Sequence, residues 1–269
     1  MKKLALLCCL FFAIILTTGV VSGEEAKTGV ISGQMMLKDG GPMTGGIVSL
    51  FNENSGPPPD PERYWRVPDH IVKLDNNGRF TAEVVEGHYY IGAIKRKDGI
   101  VDSGPPQEGD YLFASQDEKA TPKSYVVKAG RSVDIGIISG VVPLKASGKA
   151  QLSKEISAVE GMVADAEGKP VRGALVYAFR TASEVGKPVF ISDYKTGADG
   201  KYVLRVAGDN KYYLKVREVY GGGPPFAGEA IGGYGEKEPI AVNVKKGETL
   251  KGINIKITRF PGRGPQKKD

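Results

Sequence analysis

One stretch of this chain occurs twice. Residues 31–51 lie without a gap over residues 159–179, so that Gly33, Gly40, Pro42, Gly45, Val48 and Phe51 meet Gly161, Gly168, Pro170, Gly173, Val176 and Phe179. The matching positions are glycines and prolines that bracket short apolar runs, which is the pattern of strand, turn, strand. A chain that repeats such a unit uses one fold twice.

The repeat continues downstream. In the first copy, Asp75-Asn76-Asn77-Gly78 has the composition of a hairpin turn. Phe80, Ala82 and Val84 then alternate with Thr81 and Glu83, giving that strand one face for the core and one for water. Tyr89, Ile91 and Ala93 repeat the alternation. The second copy follows the same order, with Asp199-Gly200 at the turn, then Tyr202, Leu204 and Val206, then Tyr212, Leu214 and Val216. Two cores are expected, one with Val48, Phe80, Val84 and Ile91, the other with Val176, Tyr202, Val206 and Leu214. Two irregular stretches interrupt the first copy. Residues 52–70 hold Pro57-Pro58-Pro59-Asp60-Pro61 and Trp65, the chain's one tryptophan, and cannot join a ladder. Residues 97–122 carry Gly104-Pro105-Pro106, answered by Gly223-Pro224-Pro225 in the second copy.

The N-terminus sets the compartment. Lys2-Lys3 followed by an uncharged apolar run to about Val21 and by Val21-Ser22-Gly23 has the three parts of a secretory leader, so the mature chain is expected to begin near Glu24. An uncleaved anchor is the alternative, and only in that case would the protein touch a membrane. Both cysteines, Cys8 and Cys9, lie inside the leader. The mature protein therefore has no disulfide, no thiolate nucleophile and no Cys-ligated zinc. The formal net charge is +6, and two of those charges, Lys2 and Lys3, leave with the leader. With no basic stripe interleaved with aromatics, nucleic-acid binding is not indicated. The expected organisation is a signal peptide over 1–23, a leader over 24–30, domains over 31–143 and 158–259 joined by a polar linker over 144–157, and a disordered tail over 260–269. Export points to the periplasm, the cell surface or the extracellular medium.

Short strands, frequent turn signals and no amphipathic helix argue for an all-β chain of two tandem seven-stranded antiparallel β-sandwiches. The second copy, from Val159 through the Gly-Lys-Pro of Gly168 to Pro170, the Asp199-Gly200 turn and the strand Tyr212 to Val216, resembles the carboxypeptidase regulatory-like domain. That resemblance implies a transthyretin-like, or prealbumin-like, sandwich. It covers the first copy less cleanly, since Gly46 stands where Ala is expected and the turn reads Asn77-Gly78. For function it implies a folding, docking or adhesive module.

Enzymes and cross-linkers built on transthyretin-like folds need residues that can be looked for. Hydroxyisourate hydrolases need several histidines and a Tyr-Arg-Gly-Ser end, whereas this chain has two histidines, His70 and His88, and ends in Lys-Lys-Asp. The paired Tyr and His ligands of intradiol dioxygenases are absent. The isopeptide-forming sandwiches place a buried Glu in the strand where this chain has Ala93 and Val216. Asp75 to Gly78 offers consecutive oxygens with no downstream bidentate acid, so it reads as a turn rather than a calcium loop. No catalytic residue, metal ligand or cofactor is therefore assigned.

What is left is binding. The sequence suggests a non-enzymatic, exported scaffold acting through loops and strand faces on a protein or surface polymer. The alternative is a carbohydrate-binding or adhesive module, with Tyr64, Trp65 and Tyr111 stacking on sugars. Tyr234 lies in a Gly-Tyr stretch suited to adaptable contact. If Ala174, Val176 and Ala178 point into the core, then Leu175, Tyr177 and Phe179 must point away from it. In the first copy Ile47, Ser49 and Phe51 are the outward set. So large an apolar stripe is expected to be covered. The cover could be the other domain and the linker, a partner chain, or a loop such as residues 52–70 or 180–192.

Overall fold

The computed structural model describes residues 26–144, 156–182, 186–220, 223–235 and 237–262. The apolar leader, residues 145–155 of the expected linker and the tail from 263 onward lie outside the described residues. The described chain is all-β, with no helix and two sheets.

The first sheet contains β1 (Thr28–Leu37), β2 (Ile47–Asn52), β3 (His70–Lys73), β4 (Arg79–Val85), β5 (Gly87–Lys95), β6 (Tyr111–Ala114), β7 (Ser124–Val127) and β8 (Ser132–Pro143). It folds into two layers. β4 and β8 flank β1, while β2 and β5 lie beside β3, β6 and β7. Val48 and Leu50 of β2 and Ile91 of β5 meet Ile31 and Met35 of β1 and Phe80, Ala82 and Val84 of β4 in one core between the layers. The second sheet repeats the plan with β9 (Ser157–Ala164), β10 (Leu175–Phe179), β11 (Phe190–Ile191), β12 (Lys201–Val206), β13 (Asn210–Arg217), β14 (Ala230–Gly233), β15 (Ala241–Val244), β16 (Thr249–Leu250) and β17 (Ile255–Arg259). Val176, Tyr202, Val206 and Leu214 lie in its core.

Three features correct the sequence expectation. The sheets have eight and nine strands rather than seven. They are not wholly antiparallel, since β8 runs parallel to β1, and β16 and β17 run parallel to β9. The physical reason is one long closing segment that changes layers. β8 pairs with β1 along most of its length and then with β6 at Val142 and Pro143, shifting register twice on the way. In the second copy the same segment breaks into β16 and β17, and β17 then pairs with both β9 and β14. Lastly, β6 and β14 are strands inside stretches whose Gly and Pro content suggested only loop.

The duplicated glycines find their reason here. A Cβ on Gly161 would stand 2.0 Å from the carbonyl oxygen of Ile253, and one on Gly33 would stand 2.7 Å from the Ile135 side chain. In both copies the closing segment presses against β1 or β9 at this point, so that Gly161 has room for a hydrogen alone and a Cβ at Gly33 would need the Ile135 side chain to move. Gly78 and Gly200 sit at equivalent turns with φ of 72° and 68°, a region that suits glycine, and a Cβ there would meet the carbonyl of Met35 or Val163. In the first of these turns the Asp75 carboxylate accepts the N–H groups of Asn77 and Arg79, so its oxygens serve the turn itself.

Candidate binding surface

β10 alternates as its sequence requires. Ala174 just before it, then Val176 and Ala178, enter the second core, while Leu175, Tyr177 and Phe179 lie on the opposite side. The cover over that outer face comes from the first copy. Trp65, near the end of the proline-rich loop between β2 and β3, packs on Leu175, Tyr177 and Ile191, with Val67, Leu112 and Tyr220 alongside. Trp65 is 8% exposed and Tyr177 4%. The indole N–H donates to the Ser103 carbonyl, and the Tyr177 hydroxyl to that of Val219. Burial pushes the Tyr220 phenol beside them up to about 12.

Contrary to the expectation that residues 52–70 cannot join a ladder, the same loop, past its last proline of the 57–61 run, adds a short ladder to the edge of the second sheet. Val67 N–H donates to the Val189 carbonyl at 2.8 Å, Ile191 N–H donates to the Trp65 carbonyl at 3.1 Å, and Arg66 bridges Phe190. Tyr64 goes further and joins the second core, its ring 4.9 Å from that of Phe190, which in turn meets Tyr212 edge-on. Burial, with Asp60 adding to it, raises the Tyr64 phenol to about 12, and its hydroxyl donates to the Pro58 carbonyl.

Two cations cross the joint, and a third braces the loop that makes it. Arg205 of β12 is held by Asp193 at 2.7 Å and donates to the loop carbonyls of Pro61 and Glu62. The Asp193 carboxyl is raised by burial, with Arg205 pulling it the other way. Lys187 donates to the Asp69 carbonyl. Buried Arg66 donates to the carbonyls of Pro57 and Asn52 and pairs with Asp69 at 3.2 Å, while its guanidinium faces the Phe51 ring. Burial lowers Arg66 to about 10 against the pull of Asp69, which leaves it charged at neutral pH.

Beyond the reach of Trp65, the described residues leave a recess on the outer face of the second sandwich. A groove of about 940 Å³ runs over β10, β13 and β14. Phe179, Tyr213, Ile231, Tyr234 and Phe260 line it with Pro188, Pro224, Pro225 and Pro239. Its charged groups include Lys215, which sits over the Phe179 ring, with Arg217, Lys237 and Glu238. Tyr177 belongs both to this groove and to the contact under Trp65, so the two surfaces are continuous.

The structure thus brings Trp65, Leu175, Tyr177 and Phe179 together and sets Tyr234 in the adjoining groove. Tyr64 and Trp65 are not available for stacking on a sugar, because their ring faces are occupied by the second copy. Tyr111 packs against the first core, pairing across to Lys95 and Pro143, away from the groove. Sequence reasoning missed Tyr213, Lys215 and the two arginine clamps that shape the loop ends. Arg96 pairs with Asp102 and, at 2.7 Å, with Asp110, and donates to the Gly104 and Pro105 carbonyls. Arg217 pairs with Glu229 at 2.6 Å and donates to the Gly223 carbonyl. Burial pushes both carboxyls up, but backbone N–H groups and the arginine outweigh it and hold them below the ordinary range. The signal was present, since Gly104-Pro105-Pro106 leads to Gly109-Asp110 as Gly223-Pro224-Pro225 leads to Gly228-Glu229.

No family model matches the chain, and no curated protein matches it in sequence. Among solved structures it is similar to the Streptococcal ancillary pilin, at 15% identity over 87% of this chain and 64% of that one, with a TM-score of 0.25. It is similar to the major pilin subunit of Bacillus cereus, at 12% identity over 87% of this chain and 100% of that one, TM-score 0.24. The Bacillus anthracis TIE protein aligns at 17% identity over 86% of this chain, TM-score 0.26, and there the chain spans 34% of its relative's length. Similarities at this level carry no argument about function.

Proposed function

We propose that this is an exported, non-enzymatic scaffold or binding protein, acting on another macromolecule of the periplasm or cell surface. Its units are two tandem transthyretin-like sandwiches of the carboxypeptidase regulatory-like type, over residues 31–143 and 158–259. The observation that carries the reading is the aromatic groove that the described residues form beside the inter-sandwich contact. An aromatic-lined groove that continues a buried apolar contact has the character of a binding face. A fixed joint would present that face in one orientation, which lowers the ordering cost of association. A carbohydrate is the second reading, favoured by Tyr213, Tyr234 and Phe179 in one groove.

The test places a photo-crosslinking residue at Ala182, on the groove, and another at Thr81, on the exposed face of β4. Irradiation on the native cell should join the Ala182 protein, and not the Thr81 protein, to a partner macromolecule. Equal crosslinking from both positions, or none from either, contradicts the proposal.

A further inference from the structure

Asn77 is the one asparagine of the chain that a glycine follows. It sits exposed at the tip of the turn between β3 and β4, and among the described residues its side-chain amide has no hydrogen-bond partner. The main-chain nitrogen of the next residue is within covalent reach of an asparagine Cγ, and glycine, with no side chain, hinders that approach least. The turn holds the nitrogen back. Gly78 N–H donates to the Asp75 carbonyl at 3.0 Å, and the Asp75 carboxylate accepts the N–H groups of Asn77 and Arg79 at 2.8 and 2.7 Å. The second copy builds the same turn differently. Gly200 N–H donates to the Gly197 carbonyl at 3.1 Å, but Gly197 has no carboxylate to brace the turn, and the residue before Gly200 is Asp199. The asparagine stands in the turn that has the brace.

We propose that Asn77 is a site of spontaneous deamidation and that Asp75 sets its rate. In the step, the Gly78 nitrogen bonds to the Asn77 Cγ, the Cγ–Nδ2 bond breaks, and the Gly78 N–H proton leaves with Nδ2 as ammonia. Water then opens the resulting succinimide at either of its carbonyls, leaving aspartate or isoaspartate at the position. Before the attack Gly78 must give up its hydrogen bond to Asp75, so the rate follows local opening of the turn.

The two products differ in what they do to the fold. Aspartate reproduces the second copy, where Asp199 accepts the Lys201 N–H at 3.2 Å and lies 3.6 Å from its Nζ. Exposed Arg79 stands in the place of Lys201. Isoaspartate lengthens the main chain by a methylene between two anchored carbonyls. That of Asn77 accepts from Gln34 Nε2 at 2.7 Å, and that of Gly78 accepts the Met35 N–H at 2.8 Å, so both contacts to β1 shift. Met35 is fully buried in the first core, which is how a change at an exposed turn reaches the interior of that sandwich.

The exported protein, incubated at neutral and at mildly alkaline pH in water enriched in heavy oxygen, is mapped by peptide mass spectrometry. Conversion is expected at Asn77 ahead of every other asparagine, with one solvent oxygen gained, faster at the higher pH and slower than in a free peptide of residues 73–81. Asp75→Ala should raise the rate in the folded protein about tenfold or more, and Asp75→Asn, which keeps an acceptor oxygen, should raise it less. Gly197 shows that the turn forms without the carboxylate, and wild type and variant should convert at one rate when unfolded in urea. Of the two products, separated by chromatography, the aspartate form should melt with the unmodified protein and the isoaspartate form below it. Asn77 left intact while the peptide converts fully would overturn the site. Equal rates for folded wild type and folded Asp75→Ala would overturn the role of Asp75.

Discussion

Asp110 and Glu229 are the residues whose ionisation the fold most visibly uses. Each carboxylate is buried against an arginine and accepts backbone N–H groups. Their ordinary values are 3.8 and 4.5, and both are held lower in the folded state. As pH falls, the unfolded chain takes up these protons first, so the stabilisation is complete above about pH 5 and is lost as pH drops through the folded values. Asp110→Asn should cost about 2 kcal/mol at pH 7, less than an isolated buried pair because Asp102 still faces Arg96. Melting curves from pH 7 to 3 should show the gap between wild type and variant closing on the acid side, and parallel curves would contradict this. Gly161 makes a second prediction. Because a Cβ there meets the Ile253 backbone while one at Gly33 meets a side chain that can shift, Gly161→Ala should cost several kcal/mol, about 3 or more. Gly33→Ala should cost less, and denaturant midpoints of the two variants decide it.

At the scale of elements, the loop between β2 and β3 joins the molecule. Replacing residues 57–63 by a Gly-Ser linker should leave both sheets paired but unseat Tyr64 and Trp65. Amide exchange should then rise at Val67 and Ile191, whose N–H groups donate across the joint, and along the outward residues of β10, with β1 and β4 unchanged. Unaltered exchange at β10 and β11 would show that the loop covers nothing. This is also where sequence and structure part. Period-2 alternation located the core of each copy and the outward stripe Leu175, Tyr177 and Phe179, because alternation depends only on the strand's own pleat. What covers the stripe depends on the path of a loop more than a hundred residues away in sequence, which no local pattern encodes. β6, although Tyr111-Leu112-Phe113 favours a strand, is hidden by the Gly and Pro around it, and β14 is illegible for another reason. Ala230-Ile231-Gly232-Gly233 has little strand propensity and is held by its neighbours β13 and β17. Tyr213 and Lys215 were passed over because the alternation marks them only as outward positions.

At the scale of the whole molecule, the claim is that two sandwiches of one fold act as a single body, with the first copy's loop as the clamp and the second copy's groove as the working face. Tyr64 in the second core, the ladder from Trp65 to Val67, and Arg205 on the Pro61 and Glu62 carbonyls all cross the joint. Truncating Trp65 removes an aromatic buried between the copies, a change on the order of 3–5 kcal/mol. That is enough to separate two units of ordinary stability. Differential scanning calorimetry of the exported protein tests this most directly. The wild type should unfold in one transition whose calorimetric and van't Hoff enthalpies agree, and Trp65→Ala combined with Arg205→Ala should split it into two. Two transitions in the wild type, unmoved by those substitutions, would contradict it.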